Sequence, residues 1–142
     1  MISRSKITVR YAETDKMGIA HHANYPIWYE VARTDLIKKI GMTYTEMENM
    51  GVGVPLVELQ CRYMGAAYYE DELTVEAKVS KVSPVKLEFE YEIYKNGNEK
   101  PINTGRTLHA LVNKDLRPVN VKKNYPDLYQ KLEAALEEPT KE

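Results

Sequence analysis

The sequence predicts an α+β fold in which one antiparallel sheet of about five strands curls around a single long helix. Three observations carry this. Two central stretches alternate with period 2: Leu73, Val75, Ala77 and Val79 against Thr74, Glu76 and Lys78, then Leu87, Phe89, Tyr91 and Ile93 against Lys86, Glu88, Glu90 and Glu92. Such alternation marks antiparallel strands with one face buried and one wet. Earlier, Tyr25, Trp28, Tyr29, Ala32, Leu36 and Ile40 recur at helical spacing. Ile27, Val31 and Ile37 widen that stripe past a narrow surface face, so the helix should be wrapped by other structure. Finally, the elements run strand, long helix, four strands, helix, an order that one sheet around one buried helix satisfies.

In chain order, Ser5 to Tyr11 alternates Ile7, Val9 and Tyr11 against polar neighbours and reads as a strand. Ala12 to Ala23 has neither period and reads as a loop. Asn24 is suited to cap the long helix, with Pro26 tolerated in its first turn and Gly41 as its stop. A short helix is expected from Thr43 to Met50, ended by Gly51. Strands follow over Val54 to Tyr63, Glu72 to Val82, Lys86 to Tyr94 and Thr104 to Asn113. Ser83-Pro84 joins two of them tightly, and Asn96-Gly97-Asn98 is a hairpin signal. Leu128, Leu132 and Leu136 predict a terminal helix over Tyr125 to Glu137, after which 138–142 should fray.

Composition narrows the function. The 142 residues suit one domain, 1–142, and a domain of that size buries roughly two thirds of its unfolded surface. A formal net charge of -1 gives no support to nucleic acid or an anionic membrane as the main partner. No apolar run reaches ~18 residues, as a membrane span would need, and MISRSKITVR has no signal-peptide core. The single cysteine, Cys61, has no intrachain disulfide partner. Together these point to the cytoplasm. Tyrosine is over-used, at 11 residues against 1 Trp and 1 Phe, which suits half-buried sheet positions, interfaces and pocket walls.

The chemistry concentrates in Tyr11 to Arg33, YAETDKMGIAHHANYPIWYEVAR. One acid, Asp15, precedes an apolar helix by a short polar turn. A carboxylate can attack a carbonyl, or activate a water that does. Free N–H groups at a helix start can hold the developing oxyanion. The commoner fate of such an Asp is a solvated or capping turn residue.

This block resembles the first motif of the hotdog-fold acyl-CoA thioesterases, of the 4-hydroxybenzoyl-CoA thioesterase and YbgC-like type. It stands here as Glu13-Thr14-Asp15, Gly18-Ile19, His22, Asn24-Tyr25 and Ala32-Arg33. VGVPLVELQCRYMGAAYYEDEL and GRTLHALVNKDLRPV resemble the family's later segments, so the likeness covers nearly the whole chain in order. It implies a five-stranded sheet around a central helix, assembled into dimers and often tetramers. It implies hydrolysis of acyl-CoA without metal or cofactor, with the site at the dimer interface. Asp15 would act as nucleophile or general base, and the backbone N–H of His22 would polarise the thioester carbonyl. Gly18, Ile19, Asn24 and Tyr25 would be substrate-binding positions.

Bland readings stand beside these. Glu13, two residues before Asp15, and Glu58 are rival acids that read as solvated or paired. His21 and His22 are adjacent, a poor geometry for chelation, and His109 lies alone on a strand, so no metal site is expected. Asn24 caps the helix, orients Asp15, or both. Tyr25, Trp28 and Tyr29 read as core or dimer interface in preference to acyl contacts, and Cys61 as an inert thiol. Coenzyme A carries phosphates, for which Lys81, Lys86, Arg106, Arg117, Lys122 and Lys123 are basic candidates. Among them Arg117, Lys122 and Lys123, just past the last strand, are favoured for binding. A dehydratase of the same fold would carry a different helix start, which is absent. A thioesterase acting on acyl carrier protein and a non-catalytic acyl-CoA-binding protein are the alternatives. The acyl group is not legible, although Tyr63, Tyr68 and Tyr69 are placed to line or narrow a pocket.

Overall fold

The period-2 stretches form the sheet. The computed structural model describes residues 1–136 and contains β1 (Ser3–Thr8), α1 (Asn24–Lys39), α2 (Tyr44–Met50), β2 (Leu56–Tyr63), β3 (Glu72–Val82), β4 (Lys86–Lys95), β5 (Asn103–Ala110), α3 (Val121–Asn124) and α4 (Pro126–Leu136). All pairings are antiparallel, in the order β1-β3-β4-β5-β2. The expected inner rows are buried: Leu73, Val75, Ala77 and Val79 on β3, and Leu87, Phe89, Tyr91 and Ile93 on β4. Against them α1 lays Trp28, Tyr29, Ala32, Leu36 and Ile37. Each large apolar side chain so covered contributes about 1.5–3 kcal/mol. Tyr29 stacks on Tyr91 at 4.2 Å between ring centroids. Its hydroxyl end fills the space over Gly105, where a Cβ would collide with the ring. Glycine there lets the helix approach the sheet.

Several boundaries differ from expectation. β1 ends at Thr8, and Tyr11–Glu13 forms a single 3-10 turn that leaves Tyr11 76% exposed. The chain turns there because the Glu13 carboxylate accepts the Arg10 N–H at 2.8 Å. β5 ends at Ala110, beyond which Val112 makes only isolated bridges to Gly53 and Pro118. The short α3 before the terminal helix is not legible as a repeat pattern. Glu137 and the expected frayed tail lie outside the described residues. α2 matches its expectation, with Thr43 and Glu46 capping each other reciprocally and Gly51 closing the helix at φ +97°.

The sheet curls around α1 as expected and leaves one side of the helix uncovered. α1 packs on β1 and β3 and reaches β4, β5 and β2 through Tyr29, while Ile27 and Val31 are left 54% and 39% exposed. β2 is one of the two edge strands, and Leu56, Val57, Leu59 and Tyr63 on it are all exposed. One chain therefore leaves part of the helix and the apolar residues of β2 uncovered. No helix among the described residues is long and apolar enough to cross a membrane.

Candidate active site

Asp15 sits at the tip of a small hairpin that precedes α1. Its N–H donates to the Ile19 carbonyl at 2.8 Å, Gly18 N–H returns to the Asp15 carbonyl at 2.9 Å, and Thr14 pairs with Ala20. Gly18 has φ +84°, the left-handed residue that a three-residue hairpin loop requires. One Asp15 carboxylate oxygen, Oδ1, accepts the Met17 N–H at 2.8 Å. The other, Oδ2, makes no hydrogen bond among the described residues. The side chain is thus anchored by one oxygen and offers the second.

The hairpin is tied to the rest of the fold at its base. His21 N–H donates to the Glu13 carbonyl at 2.8 Å, continuing the ladder of Thr14 with Ala20. Ala20 N–H donates to the Ala67 carbonyl at 2.8 Å, and Ile19 pairs with Tyr68. Asp15 therefore stands at the turn end of this ladder and His21-His22 at its base, roughly three residue rises or about 10 Å apart along the backbone. His22 is exposed, and its N–H has no hydrogen-bond partner among the described residues. Its carbonyl accepts the Tyr63 hydroxyl at 2.8 Å and the Tyr25 N–H at 3.3 Å. A free N–H just ahead of a helix is suited to bind a developing negative charge.

Asn24 is corrected. The helix cap position is Ala23, whose side chain makes no cap bond, and Asn24 is the first helical residue. The Asn24 amide donates to the carbonyls of Glu13 at 2.7 Å and His21 at 3.1 Å. It braces the hairpin base and makes no bond to Asp15. The reason is geometric: two carbonyls converge on the amide, so its donors and not its oxygen are recruited.

The rival acids separate clearly. Glu58 is exposed on β2 and pairs with Arg106 at 3.4 Å. Glu13 is buried to 8% exposure. Its Oε1 accepts Arg10 N–H, and its Oε2 accepts Arg10 Nη2 at 3.0 Å and the Trp28 indole Nε1 at 3.3 Å. Burial alone would raise the Glu13 pKa, but these donors outweigh it and hold the carboxyl below its ordinary value. Glu13 and Tyr63 are the residues of this region that sequence reasoning undervalued. An acid three residues after an arginine was a weak hint for the first; the second was a pocket candidate whose bond to the His22 carbonyl nothing local announced.

Tyr25 (2% exposed), Trp28 and Tyr29 belong to the core. Tyr25 meets Tyr63 edge-on at 5.0 Å, and His22 meets Tyr63 at 6.5 Å. Tyr63, Tyr68 and Tyr69 are 45%, 50% and 52% exposed around the hairpin. Cys61, partly buried, lies 3.4 Å from the Tyr29 hydroxyl and 3.4 Å from the Asn103 amide. The rings of His21 and His22 stack at 4.2 Å, while His109 is buried between the Thr107 hydroxyl and the Val54 carbonyl. Among the described residues no three His, Cys, Asp or Glu side chains gather as metal ligands would.

Arg117, Lys122 and Lys123 are not brought to Asp15 within one chain. The hairpin adjoins the end of the sheet where β1 finishes and β3 begins, through Val9 with Asp71 and Glu70. Arg117 and α3 adjoin the opposite end, through Asn113 and Pro84. Lys122 lies over the Tyr129 ring at 5.8 Å. Arg106 is held on the outer sheet face by Glu88 at 2.7 Å and by Glu58, and Lys81 and Lys86 are exposed at the far turn.

Comparison with known proteins identifies the setting. The family model of the thioesterase superfamily matches residues 17–102, a span that begins just after Asp15. YneP of Bacillus subtilis is 37% identical over 135 residues, 94% of this chain and 97% of that one. The acyl-CoA thioesterase YbgC of Haemophilus influenzae is 32% identical over 91 residues, covering 63% of this chain and 67% of its own. The crystal structure of a DHNA-CoA thioesterase from Staphylococcus aureus superposes with a TM-score of 0.88 at 34% identity, over 94% of this chain and 89% of that one. With its five-stranded sheet, its helix and these relatives, the chain belongs to the hotdog-fold thioesterase superfamily and is a thioester hydrolase.

Proposed function

We propose that the protein hydrolyses acyl-CoA to the free acid and coenzyme A at a site built around Asp15 and the backbone N–H of His22, with no metal or cofactor in the chemistry. The observation that carries this is their pairing. A carboxylate oxygen and a main-chain N–H, both unpartnered among the described residues, flank one small hairpin. A thioester lying between them has its carbonyl oxygen on the His22 N–H and its carbon before Asp15 Oδ2. The carboxylate then either attacks that carbon, forming a mixed anhydride that water opens, or takes a proton from a water that attacks it. In both routes the oxyanion gathers on the helix start and coenzyme A leaves as thiolate. Gly18 and Ile19 shape the hairpin beside the substrate. Asn24 and Tyr25 hold the helix start against it.

The working unit in this proposal is a dimer, as the base of a larger assembly such as a tetramer. Edge strands are ordinarily short, charged or covered, whereas β2 exposes Leu56, Val57, Leu59 and Tyr63 in a row. Antiparallel pairing of β2 with its copy covers that row. It also inverts the ends, laying one chain's Leu56 end, with Arg117 and the α3 lysines Lys122 and Lys123 beyond it, toward the other chain's Tyr63 and Asp15. That is the route by which those cations reach the phosphates of coenzyme A. We assign the reaction to the cytoplasm, a reading supported by the single cysteine, which has no intrachain disulfide partner.

The test is Asp15→Asn assayed by thiol release on a panel of aliphatic and aromatic acyl-CoAs. The variant should fold, assemble and lose most hydrolysis; wild-type turnover would exclude Asp15 as nucleophile or base. Wild-type inactivity on the whole panel, with acyl-CoA still bound, would favour a binding protein. Activity restored on acyl carrier protein would move the substrate there.

A further inference from the structure

We propose that Glu13 is a positioning residue for hydrolysis: its buried carboxylate fixes the peptide that sets the spacing between Asp15 and the helix start. This rests on the roles given above to Asp15 and His22.

Glu13 joins three pieces of chain. Its carboxylate ends the 3-10 turn by accepting the Arg10 N–H at 2.8 Å and the Arg10 guanidinium at 3.0 Å. The same carboxylate reaches α1 through the Trp28 indole N–H at 3.3 Å. Trp28 is itself 2% exposed, so this bond pins the turn to the helix from inside the core. The Glu13 carbonyl then accepts two donors from the helix entry, His21 N–H at 2.8 Å and the Asn24 amide at 2.7 Å. Asp15 is two residues further along the same strand, and His22 follows His21 directly. A shift of the Glu13 peptide therefore moves the attacking group and the oxyanion donor relative to each other.

The arrangement is costly unless it has a use. A carboxylate at 8% exposure, with one guanidinium on its solvent side, stays charged because three donors fall on its two oxygens. A neutral turn would close the 3-10 helix without that desolvation. What the charge adds is stiffness: charge-assisted bonds are shorter and stronger than neutral ones, and catalysis punishes small misplacements severely.

Glu13→Gln tests this, because it keeps size and one acceptor oxygen but removes the charge. At a temperature well below both melting points, kcat per folded protein should fall about tenfold with KM nearly unchanged, since misplacement acts on the transition state and leaves substrate binding. A lower melting temperature with wild-type kcat would overturn the proposal by reducing Glu13 to a structural ion pair. If Glu13→Gln does not fold, Trp28→Phe decides: it deletes the indole bond to Oε2 and leaves a small cavity, so kcat is again read per folded protein. A kcat reduced about threefold or more at unchanged KM supports positioning, and wild-type kcat overturns it. Asp15→Asn, run alongside, separates the two readings. If it too retains full activity, the Asp15 mechanism fails; if it is inactive while the Glu13 variant is not, only the positioning role fails.

Discussion

The phenol of Tyr63 donates a 2.8 Å hydrogen bond to the backbone carbonyl of His22, joining the end of the edge strand to the entry of the long helix. The bond orients the peptides on either side of His22, including the one whose free N–H is proposed to hold the oxyanion. Tyr63→Phe keeps the ring against Tyr25, 5.0 Å away, and removes only the donor. The loss of one half-exposed neutral hydrogen bond should cost about 1 kcal/mol of stability or less. Turnover should fall more than that suggests, by about three- to tenfold in kcat, because the donor's direction matters most in the transition state. Steady-state kinetics beside thermal melts check this. Equal kcat in the two proteins would free Tyr63 from any part in the site.

The edge strand gives the next prediction. Val57 and Leu59 on β2 are 53% and 44% exposed, in a chain whose other apolar strand positions are mostly buried. If a second copy covers them, Val57→Lys with Leu59→Lys should give a folded monomer by sedimentation and lose most hydrolysis. Unchanged assembly would place the dimer contact elsewhere. A monomer with full activity would mean that each site is complete within one chain.

These two cases mark how far the sequence could be read. β3 and β4 were legible because both faces are decided within the chain: Leu73 to Val79 and Leu87 to Ile93 pack under α1 as their alternation predicts. β2 was legible as a strand, but periodicity does not say what covers it, and within one chain Leu56, Val57 and Leu59 stay exposed. Asn24 misled for another reason. Its residue type signals a cap, yet Glu13, 11 positions earlier, supplies the carbonyl that captures its amide. Glu13 itself was hidden because Trp28, 15 residues later, completes its hydrogen bonding. Local composition does not report a bond made through the tertiary fold. Asp15 and the Gly18 turn were legible because the hairpin that presents them is itself local.

His109 predicts a pH dependence of stability. A directed chain of bonds fits the buried cluster, with Arg33 donating to Tyr91 at 3.2 Å, Tyr91 to Thr107 at 2.5 Å, Thr107 to His109 Nε2 at 2.9 Å, and His109 Nδ1 to the Val54 carbonyl at 3.2 Å. This direction makes His109 neutral, with the proton on Nδ1. Burial, reinforced by the Arg33 charge and opposed by the Val54 bond, pushes its pKa down from 6.5 to about 4. Between those values the unfolded chain binds the extra proton, so stability is complete above the unfolded pKa and falls as pH drops toward the folded one. The full loss amounts to about 3 kcal/mol. The lowered carboxylates Glu13 and Glu88 act further down, their contribution being lost as pH falls through their own depressed values, below 4.5. Denaturant melts between pH 7 and 5 therefore isolate the histidine. His109→Asn, which retains a donor toward Val54, should be less stable at pH 7 but show a flatter slope across that interval. An unchanged slope would refute the assignment.

Leu116 offers a stabilising substitution. It sits at φ +63° in the turn from Asn113 to Arg117 and is 75% exposed. A side chain with a Cβ in the left-handed region costs about 1–2 kcal/mol, and asparagine tolerates that region better than leucine. So much exposure means that little buried apolar area is given up on substitution. The turn's own bonds, Leu116 N–H to the Asn113 carbonyl and Arg117 N–H to the Asn113 side chain, involve no atom of the Leu116 side chain. Leu116→Asn should therefore raise stability by about 0.5–1 kcal/mol in denaturant unfolding. Leu116→Gly should gain less, because glycine relieves the same strain but enlarges the unfolded ensemble. Leu116→Ala separates backbone from side chain, since it retains the Cβ and should stay near the wild type. If alanine gains as much as asparagine, the benefit comes from removing an exposed apolar surface, and backbone strain at residue 116 is not its cause.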